Sequence, residues 1–255
     1  MSQLFTDFYQ EHHRAPLADK GEKPWTYRGW LLYYLQETMA LPHFPFPDRW
    51  TYLYHIMQGD DPGPIPQVQI TRPSSEGLKN FHQCVEIAGE YGARGWGWSS
   101  LTVFLDFLAY GTGVSTKQPD LSDEIQEKLY RTFDGTLWLL TPADYIGAYI
   151  CEHRKGAWNP NAFFPTPASL VTTMVNMLMG DGEGEDQRYK SVNDPCMGTG
   201  VMLLEAGNRS LCLSGMDIDP MMVTSTKING AFYVPWLVCP VKPPSKENET
   251  CGIPQ

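Results

Sequence analysis

Apolar residues recur at helical spacing through the first part of the chain. Leu78, Phe81, Val85 and Ala88 fall on one face of a helix, which Gly92 is suited to end. Similar patterns predict helices over residues 28–40 and over residues 100–110, which Gly111 follows. A further helix is predicted through Ile125, Leu129 and Phe133, with Ser122 as its cap. The segment Thr141-Pro142-Ala143-Asp144 predicts the start of another helix, which runs to about His153. The Pro- and Gly-rich residues 60–66 predict a loop. The N-terminal part is therefore expected to be all-helical.

The pattern changes after Thr166 to helices that alternate with short apolar runs. It predicts a helix over 166–179, a strand ending at Val192, a helix over 201–206, a strand over 211–216, another helix and a last apolar run over 236–241. Such alternation is typical of parallel strand pairing in an α/β sheet. The chain is thus predicted to have a helical N-terminal domain (1–140), an α/β core (141–241) and an irregular tail (242–255).

Composition describes an ordinary packed protein, with 42% hydrophobic and 19% charged residues. The net charge of −10 argues against a broad phosphate-binding face, so any contact with DNA is expected to be local or supplied by a partner. An acidic DNA mimic is the alternative, although the acidic run is limited to residues 181–186, which a solvated loop explains more simply.

Cysteine spacing and the N-terminal residues predict the cellular compartment of the protein. The six cysteines include no Cys-x-x-Cys pair and show no metal-ligand spacing with the six histidines, so they are interpreted as reduced thiols and no metal site is predicted. The N-terminus does not resemble a secretory signal, and no apolar run approaches the roughly 20 residues that cross a bilayer. We expect a cytoplasmic protein without a membrane contact.

A glycine-rich turn follows the first predicted strand. The segment Asp194-Pro195-Cys196-Met197-Gly198-Thr199-Gly200 lies between that strand and the helix over 201–206. Glycines let the backbone approach a ligand closely, and doubly wound sheets bind ligands at such turns. A plain strand-to-helix turn would show the same residues, so the segment alone is weak support for a nucleotide-type site.

A carboxylate ends the second predicted strand. Asp217 lies 17 residues beyond Gly200 (217 − 200), where its oxygens could accept both hydroxyls of a ribose. A solvated strand terminus is the simpler alternative. Asp219-Pro220 has the pattern of a helix cap followed by a first-turn proline, so Asp219 is expected to serve structure.

Together these segments resemble adenine-N6 DNA methyltransferases in their gamma arrangement. Phe163-Phe164-Pro165-Thr166-Pro167 resembles the Phe-x-Thr-Pro element of that family, and the approach over 143–164 is similar to that in type I modification subunits. The segment 194–200 is similar to the cofactor loop, Asp-Pro-x-x-Gly-Ser/Thr-Gly, and 215–220 to the ribose-binding strand end. The resemblance covers roughly residues 141–238 and implies a truncated class I (Rossmann-like) methyltransferase core.

The resemblance also implies a site for S-adenosylmethionine. Thr166 and Pro167 would border its methionine end, the Asp194 turn would hold its amino acid portion, and Asp217 would hold its ribose. Thr166 is expected to cap a helix whose N-terminus attracts a carboxylate, although both residues could simply start that helix. The implied cofactor-binding residues are Phe164, Thr166, Pro167, Asp194, Pro195, Cys196, Gly198, Thr199, Gly200, Asp217 and Ile218.

The catalytic Asn/Asp-Pro-Pro-Phe/Tyr tetrapeptide of that family does not occur in the sequence, and no catalytic residue is assigned. In the gamma order it would lie beyond residue 240, where the chain to Gln255 is too short for a fourth strand. The segments 159–163 and 61–64 look similar, but neither follows the buried strand that presents the tetrapeptide. Cys151 and His153, two apart on a helix, point in different directions and do not form a catalytic pair.

These observations leave more than one function open. The first is a DNA adenine-N6 methyltransferase, or a fragment of one, that is completed by a second polypeptide or by sequence lost downstream. The second is a non-catalytic cofactor-binding or interaction protein derived from that family. An acidic anti-restriction decoy ranks behind both.

Overall fold

The computed structural model describes residues 23–90, 97–153, 166–180 and 186–242. The first half of these residues is helical, apart from the irregular connections between helices. A short 3-10 helix at Pro24–Thr26 comes first. The α-helices are α1 (Trp30–Met39), α2 (Arg49–Gln58), α3 (Ser75–Gly89), α4 (Gly97–Gly111), α5 (Asp123–Thr132), α6 (Gly135–Leu140) and α7 (Tyr145–His153).

The second half alternates helices with two strands. Its elements are α8 (Ala168–Met179), β1 (Ser191–Asp194), α9 (Val201–Ala206), β2 (Cys212–Gly215), α10 (Pro220–Tyr233) and α11 (Pro235–Val238). The strands pair in parallel, from Ser191 opposite Cys212 to Asp194 opposite Gly215. Within the described residues, the prediction of an α/β protein in which helices precede the strands is confirmed, and the sheet has two parallel strands.

Local signals located most helix starts correctly. The side chain of Ser74 accepts a hydrogen bond from the backbone N–H of Gly77, and that of Ser122 accepts one from Ile125. The predicted start at Thr141 is wrong, because Thr141 ends α6 and Asp144 caps α7 through the N–H of Gly147. Asp144, three residues further along, takes the cap role instead, because its carboxylate accepts a free N–H of the first helical turn.

Three other segments differ from the predictions. Helices α2 and α6 were not predicted, although Asp48 caps α2 through the N–H of Thr51 and Asp134 caps α6 through the N–H of Thr136. The last apolar run contains the short helix α11 and adds no strand to the sheet. The tail from residue 243 onward lies outside the described residues, so its irregular character remains a prediction.

The core joins the helical part to the α/β part. Trp138 of α6 and Trp236 of α11 are both fully buried in one continuous hydrophobic cluster. The buried guanidinium of Arg49 on α2 donates to the carbonyl of Tyr233 and to the side-chain oxygen of Asn208. Because the core is continuous across residue 140, the predicted domain boundary there remains a prediction. None of the described helices is both long and apolar enough to span a bilayer.

Candidate functional site

The parallel pairing brings two carboxylates to one edge of the sheet. Asp194 is the last residue of β1 and pairs with Gly215, and Asp217 lies two residues after that partner. Because both strands run in the same direction, both side chains lie at the carboxyl edge, where α/β proteins bind ligands. The predicted placement of Asp194 and Asp217 is confirmed.

The turn after β1 is held by hydrogen bonds within its own backbone and side chains. The Asp194 carboxylate accepts from the N–H of Cys196 at 3.0 Å, and Met197 accepts from the N–H of Gly200 at 2.8 Å. Gly198 and Gly200 have φ values of 54° and 90°, in the region that favours glycine. A Cβ on Gly200 would lie 2.8 Å from Cγ2 of Thr226, so α10 also requires a glycine there.

Asp217 ties the turn to the second strand. Its Oδ2 accepts a hydrogen bond from the N–H of Gly198 at 2.9 Å, and its Oδ1 accepts one from the N–H of Asp219 at 2.9 Å. Each carboxylate oxygen has a second lone pair, so the half-buried side chain can still accept from a ligand hydroxyl. Asp219 caps α10 through the N–H of Met221, as its sequence context predicts.

A third carboxylate, Asp144, contacts the glycine turn at Thr199. Its Oδ2 accepts from the hydroxyl of Thr199 at 2.5 Å, and its Oδ1 accepts from the N–H of Gly147 at 2.9 Å and the amide of Asn229 at 3.1 Å. The same amide donates to the Thr199 carbonyl at 2.9 Å. Asp144 therefore connects α7, the turn and α10.

The contact between Asp144 and the turn has one local signal in the sequence, which is a glycine, Gly147, three residues after the capping Asp144. A Cβ on Gly147 would lie 2.0 Å from Oδ2 of Asp144 and 3.0 Å from Oγ1 of Thr199, so any larger residue would displace the carboxylate from this position. Burial raises the pKa of the Asp144 carboxyl, against the opposing effect of its three hydrogen bonds. This group positions the turn, and three hydrogen bonds already engage its two oxygens.

The predicted cofactor residues of the turn differ in accessibility. Pro195 and Cys196 are exposed, and Gly198 is half-buried. Thr199 is 2% exposed and its hydroxyl is engaged by Asp144, so this residue shapes the turn and does not present its side chain to a ligand. Ile218 beside Asp217 is 83% exposed, which leaves an apolar side chain next to the carboxylate.

The Phe-Pro-Thr-Pro segment is described in part. Phe164 lies outside the described residues, whereas Thr166 is half-buried and Pro167 is exposed at the start of α8. The prediction that Thr166 caps this helix is wrong, because Pro167 occupies the cap position and no side chain accepts a hydrogen bond there. Pro167 accepts the N–H groups of Leu170 and Val171 through its carbonyl. Helix α8 packs against α9, which follows the glycine turn.

Comparison with known proteins gives one partial similarity. A stretch of 67 residues, 26% of the chain, is 39% identical to a tRNA (guanine(10)-N2)-dimethyltransferase of Pyrococcus abyssi (strain GE5 / Orsay). That stretch covers 18% of the archaeal protein, so the chain spans a small part of the relative's length. No protein-family model and no solved structure matches the chain. The similarity supports a methyltransferase-like function and does not distinguish the adenine-N6 DNA type.

Proposed function

We propose that the chain binds S-adenosylmethionine at the carboxyl edge of the β1–β2 sheet, as the cofactor-binding part of a DNA adenine-N6 methyltransferase of class I (Rossmann-like) fold. The observation that carries the proposal is the hydrogen bond from the N–H of Gly198 to the Asp217 carboxylate. It places the glycine turn next to the acidic end of the neighbouring strand, and nucleoside sites at this edge of a sheet use both features.

The residues at this edge have the chemistry to hold such a nucleoside. The remaining lone pairs of Asp217 would accept the two ribose hydroxyls, while the exposed Ile218 side chain would lie against the adenine ring. The exposed backbone around Cys196 would face the amino acid portion of the cofactor, and Thr166 and Pro167 would border its methionine end. When bound, S-adenosylmethionine supplies an activated methyl group.

The acceptor is proposed from the order of the motifs and not from a described base-binding pocket. The Phe-Pro-Thr-Pro element, the Asp194 turn and the Asp217 strand end occur in the gamma order of adenine-N6 enzymes. The tetrapeptide that holds the adenine amine in those enzymes does not occur in the sequence. We therefore propose that a second polypeptide completes the catalytic site and contributes to DNA contact.

Exposed apolar surface supports this proposal of a completing polypeptide. On α8, Met177 and Leu178 are 81% and 78% exposed. Parallel sheets are ordinarily covered on both faces and contain more than two strands.

The alternative function is that of a non-catalytic cofactor-binding protein. The missing tetrapeptide favours this function as well, and both functions require the nucleoside site.

Titration calorimetry with S-adenosylhomocysteine tests the site directly. Asp217→Ala is expected to weaken binding about tenfold to a hundredfold, because charge-assisted hydrogen bonds to the ribose are lost. Asp219→Ser is the matched control, since serine keeps the helix cap and removes the neighbouring carboxylate. Equal binding by wild type and Asp217→Ala, or no binding by wild type, would show that the site is assigned wrongly.

A further inference from the structure

A second group of polar side chains lies at the other end of α7 from Asp144. His82 extends from α3, and Glu152 and His153 are the last two residues of α7, which packs against α3. Nε2 of His82 lies 2.9 Å from Oε2 of Glu152, and the rings of His82 and His153 are 5.1 Å apart. One nitrogen or oxygen from each of the three residues falls within 4.8 Å of the others.

The His153 ring is held in a defined orientation. Its Nδ1 lies 2.9 Å from the carbonyl oxygen of Tyr149, and since a carbonyl only accepts, Nδ1 carries the proton. Nε2 of a neutral His153 then has a free lone pair. The ring also stacks on Tyr149 at 4.0 Å with an angle of 18° between the planes. A histidine that donates one N–H to a backbone carbonyl and offers its other nitrogen is typical of metal ligands.

We propose that His82, Glu152 and His153 bind one divalent transition-metal ion of the Zn²⁺ type. Two imidazoles and one carboxylate suit Zn²⁺, which binds nitrogen and oxygen at about 2 Å and often keeps a further position for water. The ion would take the place of the hydrogen bond between His82 and Glu152. All three side chains reach solvent in part, so the ion has a path of entry.

The position of this cluster would let the ion link two helices. Helix α7 begins beside Asp144 and ends at His153, so the ion would join the far end of α7 to α3. It would hold in place the helix that positions Asp144 under the glycine turn. The spacing rules applied to the sequence missed this group because His82 and Glu152 are 70 residues apart and come together only when the two helices pack.

The test is competition for Zn²⁺ between the full chain and a chromophoric chelator. Wild type is expected to bind one Zn²⁺ per chain, and His82→Ala and Glu152→Gln to bind it at least about tenfold more weakly. His153→Phe keeps a ring to stack on Tyr149 and is expected to show the same loss. Circular dichroism of each variant checks that the fold is retained. Glu152→Gln is expected to disturb the fold less than His82→Ala, because 46% of the Glu152 side chain is exposed.

The chain supplies a matched control in His55. Its Nδ1 lies 3.0 Å from the Asp60 carboxylate, which reproduces the His82–Glu152 pair without a third ligand among the described residues. His55→Ala is expected to bind Zn²⁺ as wild type does, and Zn²⁺ should raise the melting temperature of wild type and of His55→Ala only. If the cluster variants bind as tightly as wild type, cysteines or other histidines hold the ion; that result, or no binding by wild type, overturns the proposal.

Discussion

The carboxylate of Asp144 accepts a 2.5 Å hydrogen bond from the hydroxyl of Thr199, although 55 residues separate them in the chain. Asp144 belongs to the helical part of the protein, and Thr199 belongs to the glycine turn of the α/β part. The contact therefore connects the geometry of the candidate site to the packing of α7. It also explains why Thr199, which resembles a cofactor-loop residue, has a buried side chain.

Removing this carboxylate is expected to destabilise the protein. Asp144→Ala should lower the free energy of unfolding by about 2–3 kcal/mol, because the N–H of Gly147 and the amide of Asn229 lose a charged acceptor. Asp134→Ala is the control, since Asp134 caps α6 through the single N–H of Thr136 and should cost about 1 kcal/mol. Urea unfolding measures both, and an equal cost would show that the three-way contact contributes no more than a cap.

The raised pKa of Asp144 predicts a pH dependence of stability. Because burial raises this pKa above its ordinary value of 3.8, the folded protein binds the proton more tightly than the unfolded chain does. The resulting stabilisation is fully present below the unfolded pKa and is lost as pH rises through the folded pKa. Wild type should thus lose stability relative to Asp144→Asn as pH rises from about 3.8. Urea unfolding at several pH values checks this, and a difference independent of pH would contradict it.

Gly200 is expected to tolerate substitution less well than a glycine of similar backbone conformation elsewhere. Gly200→Ala adds a Cβ 2.8 Å from Thr226, whereas Gly59→Ala at φ 89° meets nothing within 4 Å. Both variants incur the strain of a left-handed residue, about 1 kcal/mol, and Gly200→Ala should lose about 1–3 kcal/mol more through crowding. Thermal unfolding of the two variants separates these effects, and equal losses would mean that α10 shifts freely to make room.

Methyl transfer by the purified chain alone is expected to be absent. A bound cofactor supplies the methyl group, but rate depends on groups that hold the acceptor in line and stabilise its developing charge. The sequence lacks the tetrapeptide that does this for adenine, and its net charge of −10 gives no general affinity for a phosphate backbone. The measurement is incorporation of labelled methyl into unmethylated genomic DNA, with transfer RNA as a second acceptor. DNA incorporation that Asp194→Ala abolishes would show that the chain is sufficient.

The order of the strands and of most helices followed from the sequence, because it depends on neighbours close along the chain; helices α2 and α6 are the exceptions. The helical spacing of apolar residues and the Ser74 and Ser122 caps act within a few residues of each helix start. The alternation after Thr166 was likewise enough to place Asp194 and Asp217 at one edge, since parallel strands end on the same side. Where two local signals competed, as at Thr141 and Asp144, the sequence alone did not decide between them.

Contacts between distant segments were decided by the tertiary structure. The contact at the turn joins three elements through Asp144, Thr199 and Asn229. In the sequence alone, these three residues resemble an ordinary cap, turn and helix residue, respectively. The His82–Glu152 pair also could not be predicted, because the two residues are 70 positions apart and motif rules recognise metal ligands by short spacings. Hydrophobic periodicity determines which face of each helix is buried, but the residues that meet across two helices depend on how the whole core packs.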